Sequence, residues 1–306
     1  MRRLWLLVVA AALAVATLAV VAVLSRAATG TVGTTPLQVV AAENFWGTIA
    51  AQLGGDRVQV TSVITNPATD PHDYEPTAAD ARALAGAKLA IVNGIGYDPW
   101  AAKLLDANPV KGRVVLNVGD LVGISPGGNP HRWYSPADVH SVIAAIVRDY
   151  SKLDPKDASY FRQQRSRFET RGLATYNQLI ATIRNRYHGV AVGASESIFA
   201  PLAQALGLKL VTPPSFLKAI SEGTEPTAAD KTTIDRQIAQ HTIKVWIFNS
   251  QNSTPDVQRL TDAARRKAIP VTTITETLTP ASATFQAWQS RQLEALRAAL
   301  ARATSR

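Results

Sequence analysis

The chain has 306 residues, which is long enough for two domains with their own cores. Its formal net charge is +9, of which Arg2, Arg3 and Arg26 belong to the N-terminal segment, leaving +6 for the rest. Those charges are interspersed along the sequence, which argues against a nucleic-acid partner, because such binding requires Lys and Arg clustered on one face. Cysteine is absent, which excludes disulfides, thiolate metal ligands and a lipid-modified cysteine.

The N-terminus has the pattern of an export signal. Arg2 and Arg3 precede an uncharged run at residues 4–24, which is long enough to span a bilayer as a helix. We predict that residues 1–28 are a signal peptide or, as the length of the run favours, a retained membrane anchor with its start in the cytoplasm. Small and polar residues at 29–36 indicate a tether. The rest of the chain is expected in the periplasm or on the extracytoplasmic face of the cell membrane.

From residue 37 onwards, short apolar runs alternate with helical patterns, which indicates βα units around parallel sheets. The predicted strands are residues 37–42, 58–64, 88–92 and 114–118, then 190–193, 209–212, 244–248 and 271–274. We therefore predict an α/β fold with two similar lobes, at residues 37–153 and 189–306. Each lobe is expected to be a mostly parallel four-stranded sheet flanked by helices.

A helical pattern at residues 154–188 separates the two sets of strands. It begins with Asp154 and Pro155, an N-cap residue followed by proline at the first helical position. About 30 residues with a rise of about 1.5 Å each would form a rod of about 45 Å. We predict one long helix that joins the lobes, with Gly172 as its weakest point.

Two segments of the first lobe recur in the second. Glu43 with its following aromatic residues is matched by Glu196 in Ser195-Glu196-Ser197-Ile198-Phe199, and both copies are followed by Leu-Gly at a similar distance. The six residues 75–80, Glu-Pro-Thr-Ala-Ala-Asp, return letter for letter at 225–230. Thr-x-x-Asp is a capping box that starts a helix, but a capping box alone does not explain six identical residues in matched order. The repeats predict an ancient duplication.

The chain contains five histidines. His72 and His131 lie in polar, proline-bracketed loops that follow predicted strands, and ligands of open parallel sheets bind at the carboxyl ends of strands. The two imidazoles can therefore converge, although each taken alone could be a turn histidine. His140, His188 and His241 lie inside or beside helices and strands, and we interpret them as structural.

These loops resemble two motifs of the metal-binding receptors of ABC importers for zinc and manganese, the cluster A-I solute-binding proteins. The first motif, His-x-Tyr-Glu-Pro-Thr, stands here at residues 72–77, and the second, Asn-Pro-His-x-Trp, at residues 129–133. The resemblance covers about residues 37–301. It implies that His72 and His131 bind the metal, that a membrane permease is the partner, and that the protein is a monomer without catalytic activity.

The resemblance also supplies two acidic ligands from the second lobe. Glu196 stands where some family members have His and others Glu, and Glu276 stands where manganese-binding members have Asp. Alternatives remain for both positions. Glu276 could be a solvated loop carboxylate, and Glu196 could share a structural role with its repeat partner Glu43. Glu222 is a further candidate, because it stands three residues before Glu225 as His72 stands before Glu75, but its neighbours Ser221, Gly223 and Thr224 make it a weaker one.

Two neutral imidazoles and two carboxylates favour Mn²⁺ or Zn²⁺, with Fe²⁺ also suited, over the all-oxygen sites of Ca²⁺ and Mg²⁺. The sequence lacks the third histidine and the His-rich loop of zinc-tuned family members, which favours manganese. The Glu at position 276 in place of Asp weakens that preference.

Two other functions are consistent with parts of this pattern. Two histidines and a carboxylate also form the sites of iron oxygenases and zinc hydrolases, but the sequence has no catalytic motif beside them. A surface adhesin is the other alternative. A linking helix that is continuous further predicts that metal release involves a small rearrangement instead of a wide hinge opening.

Overall fold

The computed structural model describes residues 35–69, 71 and 73–305. Residues Leu37–Arg306 form one compact unit, and the predicted signal or anchor segment lies outside the described residues. The strands are β1 (Leu37–Glu43), β2 (Val58–Ile64), β3 (Leu89–Val92), β4 (Val114–Asn117), β5 (Ala191–Ala194), β6 (Lys209–Leu210), β7 (Val245–Asn249) and β8 (Val271–Ile274). The predicted strands are therefore present in both halves, with β6 shorter than expected.

Both sheets have four strands, and all strand pairs are parallel. The first sheet has the order β2-β1-β3-β4 and the second has the order β6-β5-β7-β8. The two orders are the same when the second set is renumbered from its own first strand. The prediction of an α/β fold with two lobes of one design is confirmed, and we call the parts around these sheets the first and second lobe.

The α-helices of the described residues are α1 (Asn44–Gly54), α2 (Ala78–Gly86), α3 (Pro99–Ala107), α4 (Val118–Val122), α5 (Pro136–Leu153), α6 (Ala158–Arg167), α7 (Ala174–Tyr187), α8 (Ala200–Leu206), α9 (Pro214–Ser221), α10 (Ala228–Ala239), α11 (Pro255–Arg266) and α12 (Phe285–Thr304). The repeated hexapeptide starts α2 in the first lobe and α10 in the second. Thr77 and Thr227 cap these helices by accepting from the backbone N–H of Asp80 and Asp230. Such caps stabilise a helix by about 1 kcal/mol.

The connection between the lobes is helical but not a uniform α-helix. A 3-10 turn (Pro155–Asp157) leads into α6, and a π-helical turn (Phe168–Gly172) joins α6 to α7. The Leu173 N–H donates to the Phe168 carbonyl at 2.8 Å, five residues back, which is the π-type hydrogen bond. The irregularity falls at the glycine that the sequence marked as the weak point.

Each sheet separates two apolar layers, because side chains alternate between the faces of a strand. Val39 and Ala41 of β1 face the largest core cluster, whereas Val40 and Ala42 face a smaller cluster under α2 and α3. In the second lobe Trp246 faces a third cluster under α10 and α11. The largest cluster is continuous through both lobes. It includes buried residues of α1, α5, α7, α8 and α12.

Candidate metal centre

Three of the four predicted ligands lie near one another, in loops beyond the carboxyl ends of strands of the two sheets. His131 precedes α5 in the first lobe, while Glu196 follows β5 and Glu276 follows β8 in the second lobe. His131 and Glu196 are both buried, at 1% exposure. His72 lies in the segment between β2 and α2, outside the described residues.

The ring of His131 is held in one tautomer. Its Nδ1 lies 2.9 Å from Asn129 Oδ1, and Asn129 Nδ2 donates to the Ser197 carbonyl oxygen at 2.7 Å. That second bond turns the acceptor oxygen of the amide towards the ring, so Nδ1 must carry the hydrogen. The His131 Nε2 lone pair is then directed towards Glu276. A neutral imidazole with one nitrogen anchored by a hydrogen bond is the usual form of a metal ligand.

The loop that carries His131 is fixed from the core of the first lobe. Asn93 Nδ2 donates to the Pro130 carbonyl at 2.9 Å, and Trp46 Nε1 donates to Asn93 Oδ1 at 3.1 Å. Tyr97 and Trp133 pack edge-on against the imidazole, with ring centroids 6.1 and 5.2 Å away. Burial among these aromatic rings lowers the pKa of His131 to about 4 against a weaker opposing effect of Glu196. The ring is therefore neutral at pH 7.

Glu196 and Glu276 share one amide donor. Asn249 Nδ2 donates to Glu196 Oε1 at 2.5 Å and to Glu276 Oε1 at 3.0 Å. Asn252 Nδ2 donates to Glu196 Oε2 at 2.7 Å, and the Tyr97 hydroxyl of the first lobe donates to Glu276 Oε2 at 3.1 Å. Glu276 thus accepts hydrogen bonds from residues of both lobes.

Burial and the nearby charge of Glu276 raise the pKa of Glu196 to about 8, whereas His131 and the Asn249 amide lower it. At neutral pH the buried pair therefore retains a proton that a bound cation would have to displace.

His131 Nε2 lies 3.5 Å from Glu276 Oε1. This contact is not an ion pair at neutral pH, because the ring is neutral and its Nε2 offers a lone pair and no hydrogen. Among the described residues, no group of three or more His, Asp or Glu side chains is placed so that it could hold a metal ion. Of the four predicted ligands, only His131, Glu196 and Glu276 are among those residues, because His72 lies outside them.

A cleft of about 480 Å³ opens beside His131 and is lined from both lobes. Asp73 and the Gly127-Gly128 turn line it on one side, and Ser197, Ser221 and Glu222 line it on the other. The Glu222 side chain is 52% exposed and lies 3.6 Å from Lys218 Nζ. The weaker candidate Glu222 therefore lines the cleft together with His131, whereas the lining does not include Glu196 or Glu276.

Glu43, the repeat partner of Glu196, is fully buried in the first lobe. Neither of its carboxyl oxygens has a hydrogen-bond donor from the protein. Burial and the proximity of Asp98 raise its pKa well above the usual range. Asp98 itself accepts the backbone N–H groups of Asn93 and Gly94 at 2.7 and 2.8 Å. Burial and the proximity of Asp98 therefore favour the protonated, neutral form of Glu43.

The other three histidines have ordinary surroundings. His140 on α5 is half exposed, and its Nδ1 lies 3.8 Å from Glu169 Oε1. His188 ends α7 with its ring against Gly207, and His241 follows α10 with a positive φ of 54°.

Sequence reasoning missed Tyr97, Asn249 and Asn252, which hold the two carboxylates. Asn129 belongs to the second sequence motif, but the motif alone does not predict its orienting bond to Ser197. Short amide and hydroxyl side chains in loops carry no periodic pattern, so no sequence signal distinguished these residues from other turn residues.

Solved structures show the same two-lobed architecture. The Mn-bound periplasmic metal binding protein from Candidatus Liberibacter asiaticus aligns with a TM-score of 0.72 and 21% identity, covering 87% of this chain and 100% of that chain.

Within the described residues, no helix is long and apolar enough to cross a membrane.

Sequence comparisons give the family. The chain matches the family described as ZnuA, zinc-uptake complex component A periplasmic, over residues 39–299, and it belongs to that family. It is 29% identical over 177 residues to the iron-binding protein YfeA of Yersinia pestis, covering 53% of this chain and 54% of that protein. It is 27% identical over 129 residues to the manganese-binding lipoprotein MntA of Halalkalibacterium halodurans, covering 41% and 42%. The chain thus spans about half the length of these relatives.

Proposed function

We propose that this protein is an extracytoplasmic receptor that binds one divalent transition-metal ion between its lobes and delivers it to the permease of an ABC importer. The observation that carries the proposal is the proximity of His131, Glu196 and Glu276, with His131 lining the cleft. These side chains come from the carboxyl ends of two separate sheets. Membership of the zinc-uptake family supports the same function.

We propose His72, His131, Glu196 and Glu276 as the metal ligands. His131 is already neutral and oriented, and the two carboxylates supply the negative charge that balances a dication. His72 enters through its sequence motif alone. Four protein ligands would leave no open coordination position for a reacting group, which supports a receptor over an enzyme.

We propose Mn²⁺ or Zn²⁺ as the transported ion, with Fe²⁺ as a further candidate. The two relatives are named for manganese and for iron binding, and the family is described by zinc uptake. Two carboxylates beside two imidazoles suit each of these ions, so selectivity depends on geometry and supply more than on ligand type. We also propose that the protein acts as a monomer held at the membrane by its N-terminal segment.

The direct experiment is elemental analysis of the purified full-length protein, followed by competition between Mn²⁺ and Zn²⁺ against a chelator of known affinity. The expected result is about one equivalent of metal. Metal at 100-fold over Kd should also raise the free energy of unfolding by about 3 kcal/mol, and with it the unfolding temperature. His72→Ala and His131→Ala should each lose stoichiometric binding. His140→Ala is the matched control, because that ring is half exposed on α5 and should leave binding unchanged.

An adhesin would contain no stoichiometric metal, and a metalloenzyme would turn over a substrate. Undiminished affinity in both His72→Ala and His131→Ala would show that the ligand assignment is wrong.

A further inference from the structure

The second lobe contains two asparagines whose amides face the same carboxylate. Asn249 is the last residue of β7, and Asn252 lies three residues further on in the loop before α11. Asn249 is fully buried and Asn252 is half-buried. Their Nδ2 atoms reach different oxygens of Glu196, at 2.5 Å for Asn249 and 2.7 Å for Asn252.

The orientations of both amides follow from their other partners. Asn249 Oδ1 accepts the Gln251 backbone N–H at 2.9 Å, so its NH₂ group must be the end that faces the carboxylates. Asn252 Nδ2 also lies 3.2 Å from the Ile220 carbonyl oxygen, so two acceptors require a donor at that position. Neither amide can turn over without leaving acceptors unpaired.

Asn249 is fixed as a whole residue. Its backbone N–H donates to Ser195 Oγ at 3.0 Å, which ties the end of β7 to the residue before Glu196. Its NH₂ group lies between Glu196 and Glu276 and has one hydrogen for each. A buried carboxylate pair without such donors would carry uncompensated repulsion.

We propose that Asn249 and Asn252 are positioning residues of the metal centre: the two amides hold Glu196 in its ligand orientation, and Asn249 holds Glu276 beside it. This inference rests on the proposed function. Each amide hydrogen occupies one lone pair of an oxygen, so the carboxylate keeps further lone pairs for a cation. The amides also stabilise the ionised carboxylates that a bound cation would contact.

The roles of the two asparagines are separable. Asn252 contacts Glu196, whereas Asn249 contacts both carboxylates. Of the two carboxylates Asn252 contacts Glu196 alone, so we expect its effect on metal binding to act through Glu196, while Asn249 retains an effect through Glu276 when Glu196 is missing. A residue that merely maintains the fold would show neither pattern.

The test is a double-mutant cycle on the full-length protein, with Mn²⁺ and Zn²⁺ titrated separately against a competing chelator. Asn249→Ala and Asn252→Ala should each weaken binding about 10- to 100-fold, as removal of an outer-sphere partner does. In a Glu196→Ala background, Asn252→Ala should cause no further loss, while Asn249→Ala should still weaken binding. Asn108→Ala is the matched control, because Asn108 caps α3 and its Nδ2 donates to the Leu104 carbonyl.

Denaturant unfolding of the metal-free variants separates folding from positioning, and Asn252→Ser provides a second variant of the loop residue. The inference is overturned alone if Glu196→Ala loses affinity but Asn252→Ala and Asn252→Ser stay within about twofold of the parent. It is also overturned if the loss from Asn252→Ala is the same with and without Glu196. If the parent binds neither ion, or if Glu196→Ala binds as the parent does, the proposed function and this inference fail together.

Discussion

Glu43 and Glu196 occupy matching places at the carboxyl ends of β1 and β5, yet the two lobes surround them differently. Glu196 receives amide hydrogens on both oxygens and lies beside His131 and Glu276. Glu43 has no donor from the protein and lies beside Asp98. Burial raises the pKa of both carboxyl groups, but Glu196 has amide donors that stabilise its ionised form and Glu43 has none from the protein.

Two acidic residues at matching places in the fold thus have different hydrogen-bond donors around them, and we expect those donors to decide which of the two can bind a cation. In the second lobe, side-chain amides compensate the charge that a metal ligand needs. In the first lobe, Asp98 accepts the backbone N–H groups of Asn93 and Gly94. Glu43 has no such donor and keeps its proton. Through its two backbone bonds Asp98 fixes the loop that carries Tyr97 to Glu276.

Replacing each acid in turn by its amide tests most directly whether Glu196 and Glu43 differ in their effect on metal affinity. Glu196→Gln should weaken Mn²⁺ and Zn²⁺ binding by at least about 100-fold, because it removes a proposed ligand and its charge. Glu43→Gln should change affinity by less than about threefold, because it replaces a neutral acid with a neutral amide. Chelator competition measures both. Equal losses in the two variants would mean that Glu43 is also a ligand.

The pH dependence of affinity is the next largest effect. Glu196 must release its proton to bind a cation, and burial raises its pKa to about 8, so affinity should rise with pH up to about 8. Below that pH, affinity should fall about tenfold per unit. The His131 pKa of about 4 adds no proton competition near neutrality. Glu196→Gln should flatten the profile measured by chelator competition from pH 6 to 8, and a profile equally flat in the parent would contradict the assignment.

A smaller effect is expected on the metal-free protein. Carboxyl groups with a raised pKa retain protons in the folded state, so their contribution is full below the unfolded value near 4.5 and is lost as the pH rises towards the folded value. Stability should therefore decline from about pH 5 to about pH 8. Glu43→Gln should reduce that decline and be more stable than the parent at the upper end.

Denaturant titrations with a chelator present would measure this decline. Glu294→Gln on the exposed face of α12 is the matched control and should follow the parent at every pH. A Glu43→Gln variant that is less stable than the parent at high pH would show that Glu43 is ionised in the fold.

The smallest effect is expected at the connection between the lobes. A Cβ at Gly172 would lie 3.0 Å from Phe168 Cδ2, a ring edge that can shift slightly, and φ is not in the left-handed region there. Gly172→Ala should change metal affinity by less than about twofold. Small-angle scattering should show a change in the radius of gyration below about 1 Å on metal loading, since the shared core resists separation. A change of several ångströms would indicate a wide hinge.

Local sequence patterns were sufficient to predict the strands, the helix starts and the loops that contain the candidate ligands. Alternating apolar runs marked β1 to β8, and Thr77 and Thr227 marked α2 and α10. These features could be predicted because they depend on residues within a few positions of one another. The motif around His131 placed that histidine in a loop beyond β4, where the structure has it, while its role as a ligand and the placement of His72 stay predictions.

Contacts between residues that are distant in the sequence could be read only from the tertiary structure. The largest core cluster runs through both lobes, although two separate lobes were expected from the repeat. The tautomer of His131 depends on a contact from Asn129 to Ser197, 68 residues further along the chain. The state of Glu196 depends on Asn249, 53 residues away, and that of Glu43 depends on Asp98. Charge, protonation and packing are set by neighbours in space, and local sequence patterns contain no record of those neighbours.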